Sequence, residues 1–223
     1  MYDSTLKEKL VLDLHTVDAI KFGKFKLKSG IISPYYFDLR RLVSYPHLLE
    51  LVADVFWERL RVLSFDIIAG VPYTALPIAT VIVVKHTQYM ILVRKEKKEY
   101  GTGQQIEGEY HKGQHAVIVD DVITNGESKF AVIKVIEEAG IIVKDIVVLL
   151  DRGQGGPELL ARAGYKCHSI LDVQEVFDIL LKYNRIDNEL ADTCLRFTLK
   201  SKEQFMKEAT PSKQKRIASI SSK

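Results

Sequence analysis

Apolar residues recur every three to four positions between residues 5 and 20, where Leu6, Leu10, Leu14 and Val17 share one face and predict an amphipathic helix. The period then shortens. KFGKFKLKSG and SPYYFDLR alternate polar and apolar residues around Gly30, which suits two short antiparallel strands. Proline is tolerated in a first helical turn, so Pro46 is expected to open a helix that runs through Leu60, with Phe56 and Trp57 on its core face.

From residue 66 the two patterns alternate. Strand-like runs cover 66–71 (DIIAGV), 89–93 (YMILV), 115–121 (HAVIVDD) and 145–151 (DIVVLLD), and helix-like runs cover about 75–85 and 127–139. Gly140 follows the second helix where a left-handed cap is expected. The stretch SILDVQEVFDILLKYNRID (169–187) reads as helical. Such alternation predicts an α/β chain whose central, mainly parallel sheet is covered by helices on both faces. One long polar segment, RKEKKEYGTGQQIEGEYHKGQ (94–114), breaks the pattern, and loops of that length are functional or disordered. The chain ends in KEATPSKQKRIASISSK, which has the composition of a tail or linker. There is no internal repeat.

With 223 residues the chain can bury a sizeable core as one domain with appendages. Its net charge of +3 is too small to argue for nucleic acid. The N-terminus has neither a signal nor a transit composition, and no window approaches the roughly 18 apolar residues that span a bilayer. A cytoplasmic protein with no membrane and no nucleic-acid partner is therefore expected. Cys167 and Cys194 lie far apart and read as reduced, buried filler. His111 and His115 flank Gly113 in an expected turn, so they are expected to be solvent-exposed, with no zinc assigned.

Candidate chemistry concentrates in VIVDDVITNGES (117–128). The apolar run is expected to end as a strand near Val119, with Asp120 and Asp121 at its end, before a tight turn and a helix that starts near Glu127. Backbone N–H groups of residues 124–128 then converge where a phosphate can sit, helped by the helix N-terminus and the Ser128 hydroxyl. Two carboxylates would repel a naked polyphosphate. They suit the vicinal hydroxyls of a ribose, or a hydrated Mg²⁺ bridging to them, so the natural ligand is a ribose 5-phosphate substituted at C1. Neither a Walker loop nor a dinucleotide fingerprint is present.

This segment resembles the 5-phosphoribosyl 1-pyrophosphate (PRPP) motif of type I phosphoribosyltransferases. FKLKSGIISPYYFDLR (25–40), GVPYTALPIA (70–79), RKEKKEYG (94–101) and LLDRGQGG (149–156) narrow the resemblance to orotate phosphoribosyltransferase, across about residues 5–185. It is most similar to the N-terminal half of eukaryotic uridine 5'-monophosphate synthases. The resemblance implies a type I phosphoribosyltransferase fold with a small N-terminal hood (1–45), a flexible loop and hairpin (94–114) and a catalytic domain over 1–208, followed by a basic Ser-rich tail (209–223). It also implies Mg²⁺-dependent transfer of phosphoribose from PRPP to orotate in pyrimidine biosynthesis, giving orotidine 5'-phosphate and pyrophosphate.

The same resemblance implies residue roles. Asp120 and Asp121 would face the ribose hydroxyls, and Mg²⁺ would be held through PRPP with water bridges to them rather than by assigned protein ligands. Val122 and Ile123 complete the PRPP segment, while Thr124, Asn125, Gly126, Glu127 and Ser128 would cradle the 5-phosphate. Tyr36, Phe37, Thr124 and Arg152 match orotate contacts. Lys28, Tyr73, Thr74, Arg94, Lys95, Lys98 and Tyr100 match PRPP and pyrophosphate contacts, with Lys98 as the catalytic residue. Thr74 stands where many bacterial relatives have Lys, and Tyr100 where they often have His. Gly101, Gly103 and Gly108 give the loop the freedom of a lid.

A homodimer with that loop closing on the neighbouring subunit's site is implied, as is a fusion in nature to an orotidine 5'-phosphate decarboxylase domain. No decarboxylase run of the DxKxxD kind occurs in these residues. The alternatives are a purine phosphoribosyltransferase, against which Arg152 argues, and a non-catalytic PRPP-sensing regulator, against which the basic loop argues.

Overall fold

The computed structural model describes residues 4–27, 30–95 and 105–208. The elements run α1 (Ser4–Thr16), β1 (Ile20–Lys26), β2 (Ile32–Phe37), α2 (Pro46–Leu60), β3 (Ile67–Gly70), α3 (Ala75–His86), β4 (Met90–Val93), β5 (Ile106–Glu107), β6 (His115–Ile123), α4 (Glu127–Glu138), β7 (Ile142–Asp151), α5 (Gly156–Arg162), β8 (Lys166–Asp172), α6 (Val173–Lys182) and α7 (Asn188–Glu208).

β1 and β2 form a separate antiparallel hairpin. The main sheet has the order β5-β4-β3-β6-β7-β8, parallel except for the β4–β5 pair. Alternate residues of its central strands face opposite ways, as the pleat requires. Ile68, Val117, Val119, Val147 and Leu149 join a core with α1, α2, α3, α6 and α7. Ile67, Ala69, Ala116, Ile118, Ile146 and Val148 join a second core with α4 and α5. The expectation of helices on both faces of a mainly parallel sheet holds.

Local signals placed most boundaries. Pro46 stands at the start of α2, and Gly140 (φ 81°) ends α4, with Ile141 N–H returning to the Ile136 carbonyl. Asp172 caps α6 by accepting the Glu175 N–H at 2.8 Å. Among the described residues no helix is long and apolar enough to cross a membrane. His111 is exposed, while His115 is half-buried at the start of β6.

Four expectations need correction. The first helix stops at Thr16, because Ala19 and Ile20 are already committed to the hairpin and its core. The β6 strand does not end near Val119; it runs on through the acid pair to Ile123, held by parallel pairing of Val122 with Leu150 and Ile123 with Asp151. The segment 169–187 is not all helix: its first residues complete β8, and the chain turns helical only after the Asp172 cap. Residues 156–162 and 188–208 form α5 and α7, neither of which the hydrophobic pattern predicted. The expected tail (209–223) lies outside the described residues.

α7 matters because it clamps the hairpin to the sheet. Tyr35 on β2 is fully buried, its hydroxyl 2.8 Å from Thr198 Oγ1 on α7 and its ring packed edge-on against Phe37, Phe177 and Phe197. Each such aromatic pair contributes about 0.5–1.5 kcal/mol beyond area burial. The hairpin is thereby fixed against α6 and α7.

A crevice at the carboxyl ends of β3 and β6

From β3 the chain winds outward to β4, and from β6 it winds the other way to β7, so the crevice between β3 and β6 is a topological switch point, where ligands bind in open α/β sheets. Gly70, the last residue of β3, pairs with Val119. β6 continues for four residues beyond this pair, so Asp120 to Ile123 project past β3 with strand neighbours on the β7 side alone.

Asp120 is buried, at 4% exposure, and its Oδ2 lies 2.6 Å from Nζ of Lys129. Asp120 Oδ1 accepts the Asp121 N–H, and Asp121 Oδ1 accepts the Val122 N–H, both at 2.8 Å. Burial, with Asp120 alongside, pushes the Asp121 carboxyl up to about 8, while the Lys129 ammonium pulls the other way. Arg40, on the turn after β2, also feels the Asp121 charge and pairs with Asp38 at 2.7 Å.

After Ile123 the chain makes the expected turn. Gly126 takes φ 81°, a left-handed conformation in which a side chain would be strained, and its carbonyl receives the N–H groups of Lys129 and Phe130 that open α4. The N–H groups of Thr124, Asn125 and Gly126 have no acceptor among the described residues. Three free N–H groups in a turn before a helix are what an anion cradle requires, while the Glu127 N–H, expected to join them, is bonded to Asn125 Oδ1 at 3.3 Å. Its back wall is Gly156, at the start of α5: a Cβ there would come within 2.6 Å of the Thr124 carbonyl oxygen and of Ile123 Cγ1. Gly156 is therefore what allows LLDRGQGG to approach the loop from behind.

Arg152 follows β7, its N–H bonded to the Ile123 carbonyl at 3.0 Å. The residue is 8% exposed, its guanidinium lies 5.0 Å from the Tyr35 ring centroid, and Nε and Nη2 have no hydrogen-bond partner among the described residues. A buried guanidinium with two unanswered donors is costly unless an acceptor arrives. A planar carboxylate-bearing ligand meets that need.

The other candidates fall in four groups. Tyr73 is largely exposed after a cis Pro72–Tyr73 peptide, with Lys95 Nζ 4.6 Å from its ring centroid, while Thr74 precedes α3 without a side-chain cap bond. Arg94 is ion-paired with Glu107 at 3.1 Å, and its N–H bonds the Gln105 carbonyl, so it closes the neck of the polar segment. Tyr36 and Phe37 are half-buried at the end of β2, where the Tyr36 hydroxyl accepts from Arg40 at 3.3 Å. Lys28, Lys98 and Tyr100, with Gly101 and Gly103, lie outside the described residues.

Three contributors escaped the sequence reading. Lys129 had a visible signal, because it shares the helical phase of Val132, Ile133 and Ile136 and so sits on the core face of α4. Tyr35 was hidden among its aromatic neighbours. Gly156 stood in the quoted motif without a role, since its close approach comes from tertiary packing.

A profile of the phosphoribosyl transferase domain matches residues 40–177. The chain is 41% identical over 190 residues to the uridine 5'-monophosphate synthase of Bos taurus, covering 84% of this chain and 40% of that protein. It is 38% identical over 175 residues to the orotate phosphoribosyltransferase of Pyrococcus furiosus, covering 78% of this chain and 96% of that one. The structure of Leishmania donovani UMP synthase superposes with a TM-score of 0.81 at 37% identity, over 89% of this chain and 43% of that one. The chain thus spans about two fifths of these larger relatives and nearly all of the shorter one. Matched in sequence over most of its length and in the arrangement of its sheet, the chain belongs to the phosphoribosyltransferase family, on its orotate phosphoribosyltransferase branch.

Proposed function

We propose that the protein transfers the 5-phosphoribosyl group of PRPP to orotate, releasing pyrophosphate and orotidine 5'-phosphate. The observation that carries this reading is the buried Arg152, with two donors unpartnered among the described residues, set one strand away from the free N–H groups of the turn. A cradle alone accepts any ribose phosphate. The guanidinium selects a base that bears a carboxylate, which orotate has and purines lack. The names of the relatives support the same choice.

In this reading the N–H groups of Thr124, Asn125 and Gly126, with Ser128, hold the 5-phosphate, and the acid pair meets the ribose. Arg152, Thr124 and the main chain of Tyr36 and Phe37 hold orotate. A bond forms between N1 of orotate and C1 of the sugar as the C1–O bond to pyrophosphate breaks, and the N1 proton passes to water. The transition state is oxocarbenium-like, so stabilising the departing anion outweighs general base chemistry. Lys28, Tyr73, Thr74, Lys95 and, from the loop, Lys98 and Tyr100 surround that anion, with Lys98 as the main catalytic group and Arg94 at the loop's neck. Losing one preorganised charged contact of this kind costs roughly 3 kcal/mol of barrier.

Mg²⁺ fits this site through its substrate. No cluster of three or more acidic, His or Cys ligands occurs among the described residues, and Mg²⁺ is usually bound by one or two carboxylates, waters and substrate phosphates. Asp121, directly or through water, is the carboxylate in position. When bound, the ion neutralises the diphosphate.

The reading includes a homodimer in which the loop bearing Lys98 serves the neighbouring site, a cytoplasmic location, and fusion in nature to a decarboxylase domain. The test is loss of orotate absorbance with PRPP and Mg²⁺, with adenine, hypoxanthine and uracil in parallel. Turnover restricted to orotate and abolished by Lys98→Ala is expected. Turnover of a purine, or PRPP binding with no base consumed, would overturn the assignment.

A further inference from the structure

Lys129 is the least expected side chain in the site. A lysine is rarely carried into a protein interior unless an opposite charge and further acceptors receive it, and this one is 3% exposed in the first turn of α4. Its Nζ is 2.6 Å from Asp120 Oδ2, donates to the Val122 carbonyl, and lies 3.3 Å from Ser128 Oγ. An ammonium has three N–H donors, and three acceptors surround it. It therefore has no donor left for a phosphate.

Those acceptors lie on both sides of the phosphate loop: Asp120 and Val122 precede it on β6, and Ser128 follows it on α4. One cation closes the loop's base. It also separates the two acids. Both oxygens of Asp120 are taken inside the protein, Oδ2 by Lys129 and Oδ1 by the Asp121 N–H. Asp121 is the more exposed of the two, with its Oδ1 on the Val122 N–H.

We propose that Lys129 is a positioning residue for sugar recognition: by holding the Asp120 carboxylate and the Val122 carbonyl beneath the loop, it leaves Asp121 as the carboxylate that receives the ribose hydroxyls. This rests on the reading of the crevice as a phosphoribosyl site. It divides between two adjacent acids a task that the sequence pattern gives to both.

The experiment measures binding of ribose 5-phosphate and of 2-deoxyribose 5-phosphate to the full chain by calorimetry, for the wild type, Lys129→Met, Lys129→Arg and Asp121→Asn, with a melting curve for each. At about pH 9, above the value of about 8 to which burial pushes the Asp121 carboxyl, a hydrogen bond to the charged group supports a ribose preference of about tenfold in the wild type. In Lys129→Met that preference falls below about threefold while affinity for the 2-deoxy sugar stays within about threefold, and Lys129→Arg restores it. An unchanged preference, or equal weakening of both sugars, would make Lys129 a structural ion-pair partner only and overturn the proposal.

If Lys129→Met does not fold, Asp121→Asn decides, because it leaves the Lys129–Asp120 pair intact. Loss of the ribose preference supports the division of labour, and its retention refutes it. Neither sugar phosphate contains a base or a pyrophosphate. A wild type that shows the ribose preference but fails to consume orotate would therefore reject the orotate reading, with the variants still deciding the role of Lys129.

Discussion

Replacing Arg152 with methionine should make the ligand-free protein more stable while it abolishes recognition of the base. Methionine keeps much of the arginine stem's volume and removes the guanidinium. The wild-type group is 8% exposed, and Nε and Nη2 lack partners among the described residues. An unsatisfied buried donor costs about 1–3 kcal/mol. The guanidinium is compensated by its position over the Tyr35 ring at 5.0 Å, a contact worth about 1–2 kcal/mol when desolvated. With two such donors set against that contact, the balance favours the variant by roughly 2 kcal/mol.

For a domain of this size about 1 kcal/mol moves Tm by about 2–4 °C, so a rise of several degrees is expected. The assay is thermal unfolding with and without orotidine 5'-phosphate, which fills both the phosphate cradle and the base site. The wild type should gain substantially from the ligand, and Arg152→Met should gain far less while losing orotate turnover. A variant that melts below the ligand-free wild type would refute the reasoning that Arg152 is an unsatisfied group held for a ligand. So would one that is protected by the nucleotide as well as the wild type is.

Other outcomes follow from the same geometry. Gly156→Ala puts a Cβ 2.6 Å from the Thr124 carbonyl oxygen; a stability loss of about 1–3 kcal/mol in urea unfolding and a higher KM for PRPP are expected, and a neutral result would mean that α5 does not brace the loop. Tyr35→Phe removes the 2.8 Å bond to Thr198 and should cost about 1 kcal/mol in chemical denaturation with its ring contacts kept. Burial, with Asp120 alongside and Lys129 opposing, pushes the Asp121 carboxyl up to about 8, so apparent PRPP affinity with Mg²⁺ should rise as pH approaches 8 and flatten in Asp121→Asn. The same raised folded-state value means that this group's contribution to stability is full below about pH 4 and is lost as pH rises through about 8. Mixing Lys98→Ala chains with Asp121→Asn chains should restore part of the activity if the loop crosses between subunits; confirmed mixed dimers without recovery would exclude sharing.

What the sequence made legible, and what it concealed, divides along a physical line. Periodicity found β3, β4, β6 and β7 because a pleated strand buried on both faces must be a short apolar run, as β3 and the core of β7 are. It missed α5, only seven residues long, and α7, whose polar faces dilute its apolar stripe. It extended a helix over β8 because SILDV carries no period of its own, and only the Asp172 cap marks the change. The acid pair, the turn and Gly126 were readable because each is a local requirement of the chain. Gly156, Tyr35 and the ion pair of Asp120 with Lys129 are relations between distant segments or across a turn, and composition does not encode them.

Lys129 shows where such reading can go further. A charged residue on the apolar phase of a helix is either an error of phase or a buried ion pair, and Phe130, Val132, Ile133 and Ile136 leave no doubt about the phase of α4. A buried lysine demands a carboxylate within reach, and the nearest acids upstream are those at the end of β6. Breaking such a pair from one side costs about 3–5 kcal/mol, far more than a solvated lysine on the same helix would. The crevice therefore places a strong internal restraint under its recognition loop and sets Arg152, unpartnered among the described residues, on the next strand. In the proposed function, rigidity is concentrated where the sugar phosphate would be positioned, and an unmet demand for an acceptor is left where the base would be chosen.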